Sequence, residues 1–156
     1  MLLLFAVVWL WHLDSVALSP PADNIEQLTW MRSLEWGYYK HPPAPTWMMW
    51  AFAQLAGWSA WSSYLLGALC TLVSVAFYGL LLREIQGPRF ALVAVLAVLG
   101  ITFYNGRLNY FNHNVALMLW TSASAWLWWR ILTAPRLRWW LALGVVAGLG
   151  MLSKYQ

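Results

Sequence analysis

Between Trp61 and Leu82 the chain runs for twenty-two residues without one charged side chain. A helix needs about 20 consecutive apolar residues to cross a bilayer, so this run alone is long enough. Further apolar segments lie at residues 2–18, 90–104, 115–131 and 139–152, the first interrupted by His12 and Asp14. Hydrophobic residues make up 62% of the chain and charged ones 9%. Soluble domains carry about 25% charged residues, so this chain has too little charge to cover a water-facing surface. The pattern predicts an all-α, polytopic transmembrane helix bundle of five spans, with an outer loop at 19–60. In that loop, "TWMMWAFAQLAGW" is too short to span and reads as an interfacial or re-entrant helix.

Orientation follows from the basic residues at span ends, which favour the cytoplasmic side. Arg83 and Arg89 flank one loop; Arg130, Arg136 and Arg138 flank another two spans later. These five of the nine basic residues fall on one side, with Glu84 the single acid among them. The other side holds Asp23, Glu26, Arg32, Glu35, Lys40, Arg107 and Lys154, and is expected to face outward. The net charge of +4 thus reads as topology, and nucleic acid is not an expected partner. Cys70 is alone in an apolar run, which excludes a disulfide framework and a thiolate metal site. The opening "MLLLFAVVWLW" lacks the basic start and small-residue cleavage site of a signal peptide. Gly144 and Gly148 form a GxxxG pair that reads as close helix packing.

Polar chemistry gathers in two stretches. The first, "DNIEQLTWMRSLEWGYYKHPPAPTW" from Asp23 to Trp47, holds three of the five acids. Asp23 and Glu26 have the spacing of a helix-capping box, and capping alone would account for both carboxylates. A helix from Asn24 to about Trp36 would put Glu26, Thr29 and Ser33 on one strip and end at Gly37. "YYKHPPAP" then reads as an extended stretch presenting Lys40 and His41 on a proline-stiffened backbone. Those cations either snorkel to lipid headgroups or hold a substrate phosphate. The second stretch is "YNGRLNYFNHN", in which Asn105, Asn109, Asn112 and Asn114 accompany Arg107 and His113. Turns and caps explain some of these amides; all four together point to a polar pocket.

At these residues the chain resembles the bacterial branch of the membrane-embedded C-type glycosyltransferases. That branch includes lipid A aminoarabinose and galacturonic acid transferases and is related to the protein O-mannosyltransferases. The resemblance rests on Asp23 fourteen residues before Gly37-Tyr38, on "EWGYYKHPP" from Glu35 to Pro43, and on Trp47. "FNHNVALMLW" and "GLGMLSKY" resemble two later motifs in the same order.

The resemblance implies inverting transfer of a sugar from a polyprenyl-phosphate donor to a lipid, glycan or protein hydroxyl at the outer face of a bacterial inner membrane. It maps the catalytic carboxylate onto Asp23 and donor-phosphate contacts onto Lys40 and His41. Glu26, Arg107, Asn112, His113, Asn114 and Lys154 are candidate substrate-binding residues. Many relatives carry Glu directly after the loop Asp, and many a second Asp in the second loop, where this chain has Asn24 and Asn114. An amide binds a sugar hydroxyl but is neither a base nor a strong metal ligand. No metal site is therefore assigned, and a divalent metal stays open as a cofactor. Family members are several times longer, so the chain reads as an N-terminal fragment, inactive alone. The alternatives are a lipid-headgroup-binding or transport module and an inactive fragment. Interiors free of charge from Trp61 onward disfavour transport, which places ionisable groups mid-span.

Overall fold

The computed structural model describes residues 2–155, which form helices and connections with no strand. In chain order the helices are α1 (Leu2–Val16), α2 (Ala22–Trp30), α3 (Ala44–Ala56), α4 (Ala60–Gln86), α5 (Pro88–Leu99), α6 (Thr102–Asn105), α7 (His113–Thr133) and α8 (Leu137–Met151). The expected all-α class is what the structure has.

Central α4 packs against α7 and α5, and α8 packs on the far side of α7. Its 27 residues are about 40 Å long at the α-helical rise. Among the described residues it is the one helix long and apolar enough to cross a membrane. Local chemistry sets its limits. Ser59 caps it by accepting from the Ser62 amide, and Gly87, at φ +89°, turns the chain straight into Pro88 at the start of α5. The apolar segment at 90–104 is not one helix: α5 stops at Leu99, the chain turns at Gly100, and α6 follows. Asn112 caps α7, its side-chain oxygen accepting from the amides of Asn114 and Val115.

Two apolar cores fix the short helices on this frame. Ala6 and Leu10 of α1 pack with Tyr64, Ala68 and Leu72 of α4 and with Leu108. Met31, with Met49 and Ala53 of α3, packs with Leu66 and Cys70 of α4 and with Phe111 and Val115. The second core joins the first loop, the start of α7 and the N-terminal half of α4. At the opposite end Glu84 accepts from Arg130 at 3.3 Å and from Trp126 at 3.2 Å.

Several local expectations are corrected. Asp23 does not cap α2: the N-cap is Pro21, and no side chain closes a capping box with Glu26. Extended Pro21 (ψ 145°) offers its carbonyl to the Ile25 amide, so the helix begins at Ala22 and Asp23 falls inside the first turn. There its charge meets the helix dipole favourably without a capping bond. The helix ends at Trp30, well before Gly37. Tyr38 stacks on Trp30 with centroids 5.1 Å apart and donates its hydroxyl to the Ser33 carbonyl, which draws the chain back early and leaves Ser33 off the helix. The Tyr38 amide donates to the His41 carbonyl, so this stretch is bent where an extended one was expected. A Cβ on Gly144 or Gly148 would meet nothing within 4 Å, so neither packs against another helix of this structure; Gly150 approaches Trp120 instead.

Candidate functional site

The first loop, the start of α7 and the end of α8 meet over the N-terminal end of α4. Asn24, fully buried, is the fastener: its amide nitrogen donates to Ser63 Oγ at 2.8 Å and to the Asn109 carbonyl at 2.9 Å, and its oxygen accepts from the Phe111 amide at 3.0 Å. One residue earlier, Asp23 Oδ2 accepts from Asn112 Nδ2 at 2.6 Å. Asn112 thus uses its oxygen to start α7 and its nitrogen to hold a carboxylate from α2.

The close approach of the 109–111 segment to α4 depends on Gly67. A Cβ there would lie 2.2 Å from the Tyr110 carbonyl oxygen. The C-terminal end is held equally directly. The Ala44 amide donates to the Leu152 carbonyl at 3.0 Å. Trp120 Nε1 donates to Ser153 Oγ, itself a donor to the Leu149 carbonyl. Pro42, Pro43, Ala44, Pro45 and Thr46 are all buried, and Thr46 donates to Gln27 Oε1 at 2.8 Å.

The cations fall into distinct environments. Lys40 forms an ion pair with Glu26, and the bond to that carboxylate holds its pKa above the usual lysine value. His41 and His113 lie ring against ring, tilted by 31° with centroids 3.6 Å apart, and Trp30 lies 6.2 Å from His41. Burial lowers both imidazole pKa values, and for His113 the facing His41 lowers it further. Lys154 Nζ donates to Asn114 Oδ1 at 3.0 Å, a neutral partner. It also lines a cavity of about 460 Å³ between α7 and α8, with Trp120, Thr121, Ser124 and Tyr155. Arg107 lies over the Tyr110 ring at 5.5 Å and lines a cleft of about 60 Å³ with Thr71, Asn112 and Asn114.

Asp23 and Asn112 are therefore in direct contact, as are Glu26 and Lys40, His41 and His113, and Asn114 and Lys154. Arg107 stands apart from these pairs, joined to Asn112 and Asn114 through the small cleft. Sequence reasoning missed Asn24, Ser63 and Gly67 as parts of the site. The available signals were an amide directly after Asp23 and small residues at the N-terminal end of an otherwise bulky apolar run. Among the described residues no three His, Cys, Asp or Glu side chains converge. The position after Asp23 is an amide turned away into the core, and Glu26 is paired to Lys40. By themselves the described residues do not make up a divalent-metal donor set.

The chain is 29% identical over 136 residues to the lipopolysaccharide core galacturonosyltransferase RgtA of Rhizobium johnstonii, a match covering 85% of this chain and 27% of the relative. The chain thus spans about a quarter of that protein's length. No solved structure matches it. The family model described as dolichyl-phosphate-mannose-protein mannosyltransferase matches residues 40–156, three quarters of the chain. The resemblance carried by the loop motifs is thereby borne out, and the chain belongs to the dolichyl-phosphate-mannose-protein mannosyltransferase family.

Proposed function

We propose that this chain supplies the donor-side half of a glycosyltransferase site. It moves a sugar from a polyprenyl-phosphate-linked donor to a lipid, glycan or protein hydroxyl at the outer face of the bacterial inner membrane, with inversion. The observation that carries this reading is the juxtaposition of one oriented carboxylate, Asp23, with lysine and histidine side chains at one end of an apolar bundle. Family membership and the likeness to a galacturonosyltransferase support it. The five apolar segments are read as its membrane-embedded helices, α4 spanning and the one at 90–104 broken at Gly100, with Arg83, Arg89, Arg130, Arg136 and Arg138 on the cytoplasmic side.

Each group has a task in that reaction. Asp23 takes the proton of the attacking hydroxyl, raising its nucleophilicity as the new glycosidic bond forms. Asn112 holds the carboxylate in one orientation throughout, leaving Oδ1 for the acceptor. As the bond from the sugar to phosphate breaks, negative charge grows on the leaving phosphate, and lysine ammonium groups stabilise it. Lys154 is the better placed of the two lysines because its partner is an amide; Lys40 must exchange Glu26 for phosphate. His41 and His113, their protonation disfavoured by burial, serve as neutral hydrogen-bonding groups beside the phosphate. Asn114 and Arg107 are left to bind sugar hydroxyls and acidic substituents. As the described residues do not by themselves make up a divalent-metal donor set, no step runs through one.

The test is Asp23→Asn in the whole detergent-purified protein, measuring transfer of labelled sugar from the lipid-linked donor. Asn preserves the shape and can still pair with Asn112, so folding persists while the base is lost. Loss of transfer with an unchanged thermal midpoint is expected. Near-normal turnover would end the catalytic assignment and leave a headgroup-binding loop.

A further inference from the structure

We propose that Asn24 is a positioning residue of this site: its buried carboxamide locks the 109–111 segment against α2 and so sets the contact between Asp23 and Asn112. The inference rests on the reading of Asp23 as the base and adds a residue that never meets substrate.

Position 24 lies against two backbone groups of the second polar stretch. Its environment demands a donor and an acceptor on one short side chain: Phe111 presents an N–H and Asn109 a C=O, at 3.0 and 2.9 Å. A carboxamide of Asn length satisfies both and has a second N–H for Ser63 Oγ. A carboxylate would place an oxygen against the Asn109 carbonyl at hydrogen-bond distance, where two acceptors repel. Ser63 cannot readily turn to help, because its hydroxyl already donates to the Ala60 carbonyl at 2.6 Å. The side chain of Asn109 does not fix the segment, since its own oxygen is buried without a partner. Asn24 and the neighbouring α4 backbone do so instead.

From there the geometry passes directly to the carboxylate. Phe111 precedes Asn112, and Asn24 follows Asp23, so the Asn24–Phe111 bond and the Asp23–Asn112 bond are adjacent rungs between the same two segments. Slippage of the buried rung displaces the outer one. The identity of residue 24 is thus a condition on where the Asp23 oxygen points, although the residue itself is wholly buried.

The experiment follows the Asn112 side-chain amide by nuclear magnetic resonance in the whole protein, ¹⁵N-labelled at asparagine and reconstituted in nanodiscs. Asn112→Ser, which keeps a capping oxygen, assigns the signal. Asn24→Asp is expected to move that signal to its Asp23→Ala position and to lower transfer at least tenfold per bound donor. Ser63→Ala, removing one of the three Asn24 partners, is expected to give a smaller displacement in the same direction. The double variant Asn24→Asp/Asn112→Ser should be no slower than the slower single one. A native Asn112 signal with native turnover in folded Asn24→Asp overturns the proposal. If that variant does not fold, an unmoved signal in Ser63→Ala overturns it. Should Asp23→Asn retain transfer while Asn24→Asp still moves the signal, the base assignment fails and the positioning contact stands as structural only.

Discussion

Gly67→Ala is the most economical probe of how the second loop reaches the site. The added Cβ would lie 2.2 Å from the Tyr110 carbonyl oxygen, 2.7 Å from its carbon and 3.2 Å from the Phe111 nitrogen. All three are backbone atoms, so no rotamer change relieves the clash, and the segment must retreat by about 1 Å to restore contact distance. That movement stretches the Asn24 bonds to Asn109 and Phe111, now 2.9 and 3.0 Å, beyond useful range. Each is worth about 0.5–1.5 kcal/mol, and more when the buried partner is left unpaired. The helix itself gains up to about 1 kcal/mol from replacing Gly by Ala. The net expectation is a destabilisation of roughly 2–3 kcal/mol, within the usual range for overpacking. Denaturant unfolding in detergent, followed by tryptophan fluorescence, measures it against Gly148→Ala, where the new methyl meets nothing within 4 Å. That control should be neutral or slightly stabilising. Equal midpoints for the two variants would refute the account of Gly67 as the point of close approach.

Other outcomes follow from the same contacts. Protonating His41 and His113 is disfavoured in the folded protein, so the unfolded chain binds more protons below its ordinary histidine pKa of 6.5. Stability is therefore fully present above pH 6.5 and falls as pH drops below it, with Asp23 and Glu26 opposing the effect and Lys40 and Lys154 adding to it; His113→Phe should flatten that slope in pH-dependent thermal melts. Lys154→Met should weaken binding of a polyprenyl phosphate by about tenfold or more, whereas Glu26→Gln, which frees Lys40, should leave it equal or tighter; isothermal titration separates these outcomes. Cysteines placed at Ser33 and Arg136 should be labelled from opposite sides of sealed vesicles, and labelling of both from one side would sink the topology.

The longer helices α4, α7 and α8 were legible because apolar runs bounded by Pro, Gly and Arg leave little choice, as at Gly87-Pro88 and Ala134-Pro135, whereas the break at Gly100 was not. Sequence also singled out polar residues that the fold brings into contact, Asp23 with Asn112, Glu26 with Lys40 and Asn114 with Lys154, since they interrupt an otherwise apolar text. What it could not supply was partnership. Asp23 and Glu26 have capping spacing, yet tertiary partners, Asn112 and Lys40, claim both carboxylates. The early end of α2 follows from the contacts of Tyr38 with Trp30 and Ser33, which no local pattern announces. Gly144 and Gly148 carry a packing signature but no neighbour, while Gly67, in no motif, carries the closest approach. Such facts belong to pairs of segments, and one segment alone does not encode them.

The bond from the Ala44 amide to the Leu152 carbonyl joins the first residue of α3 to the residue that closes α8. During synthesis the first loop therefore waits: its proline-rich turn lacks its anchor until the last turn of α8 has been made and brought alongside. Lys40 and His41, a few residues away, take their setting earlier, from Glu26 and from His113. A chain made only as far as α7 would thus hold the Asp23–Asn112 pair and still lack Lys154, the cation that meets Asn114.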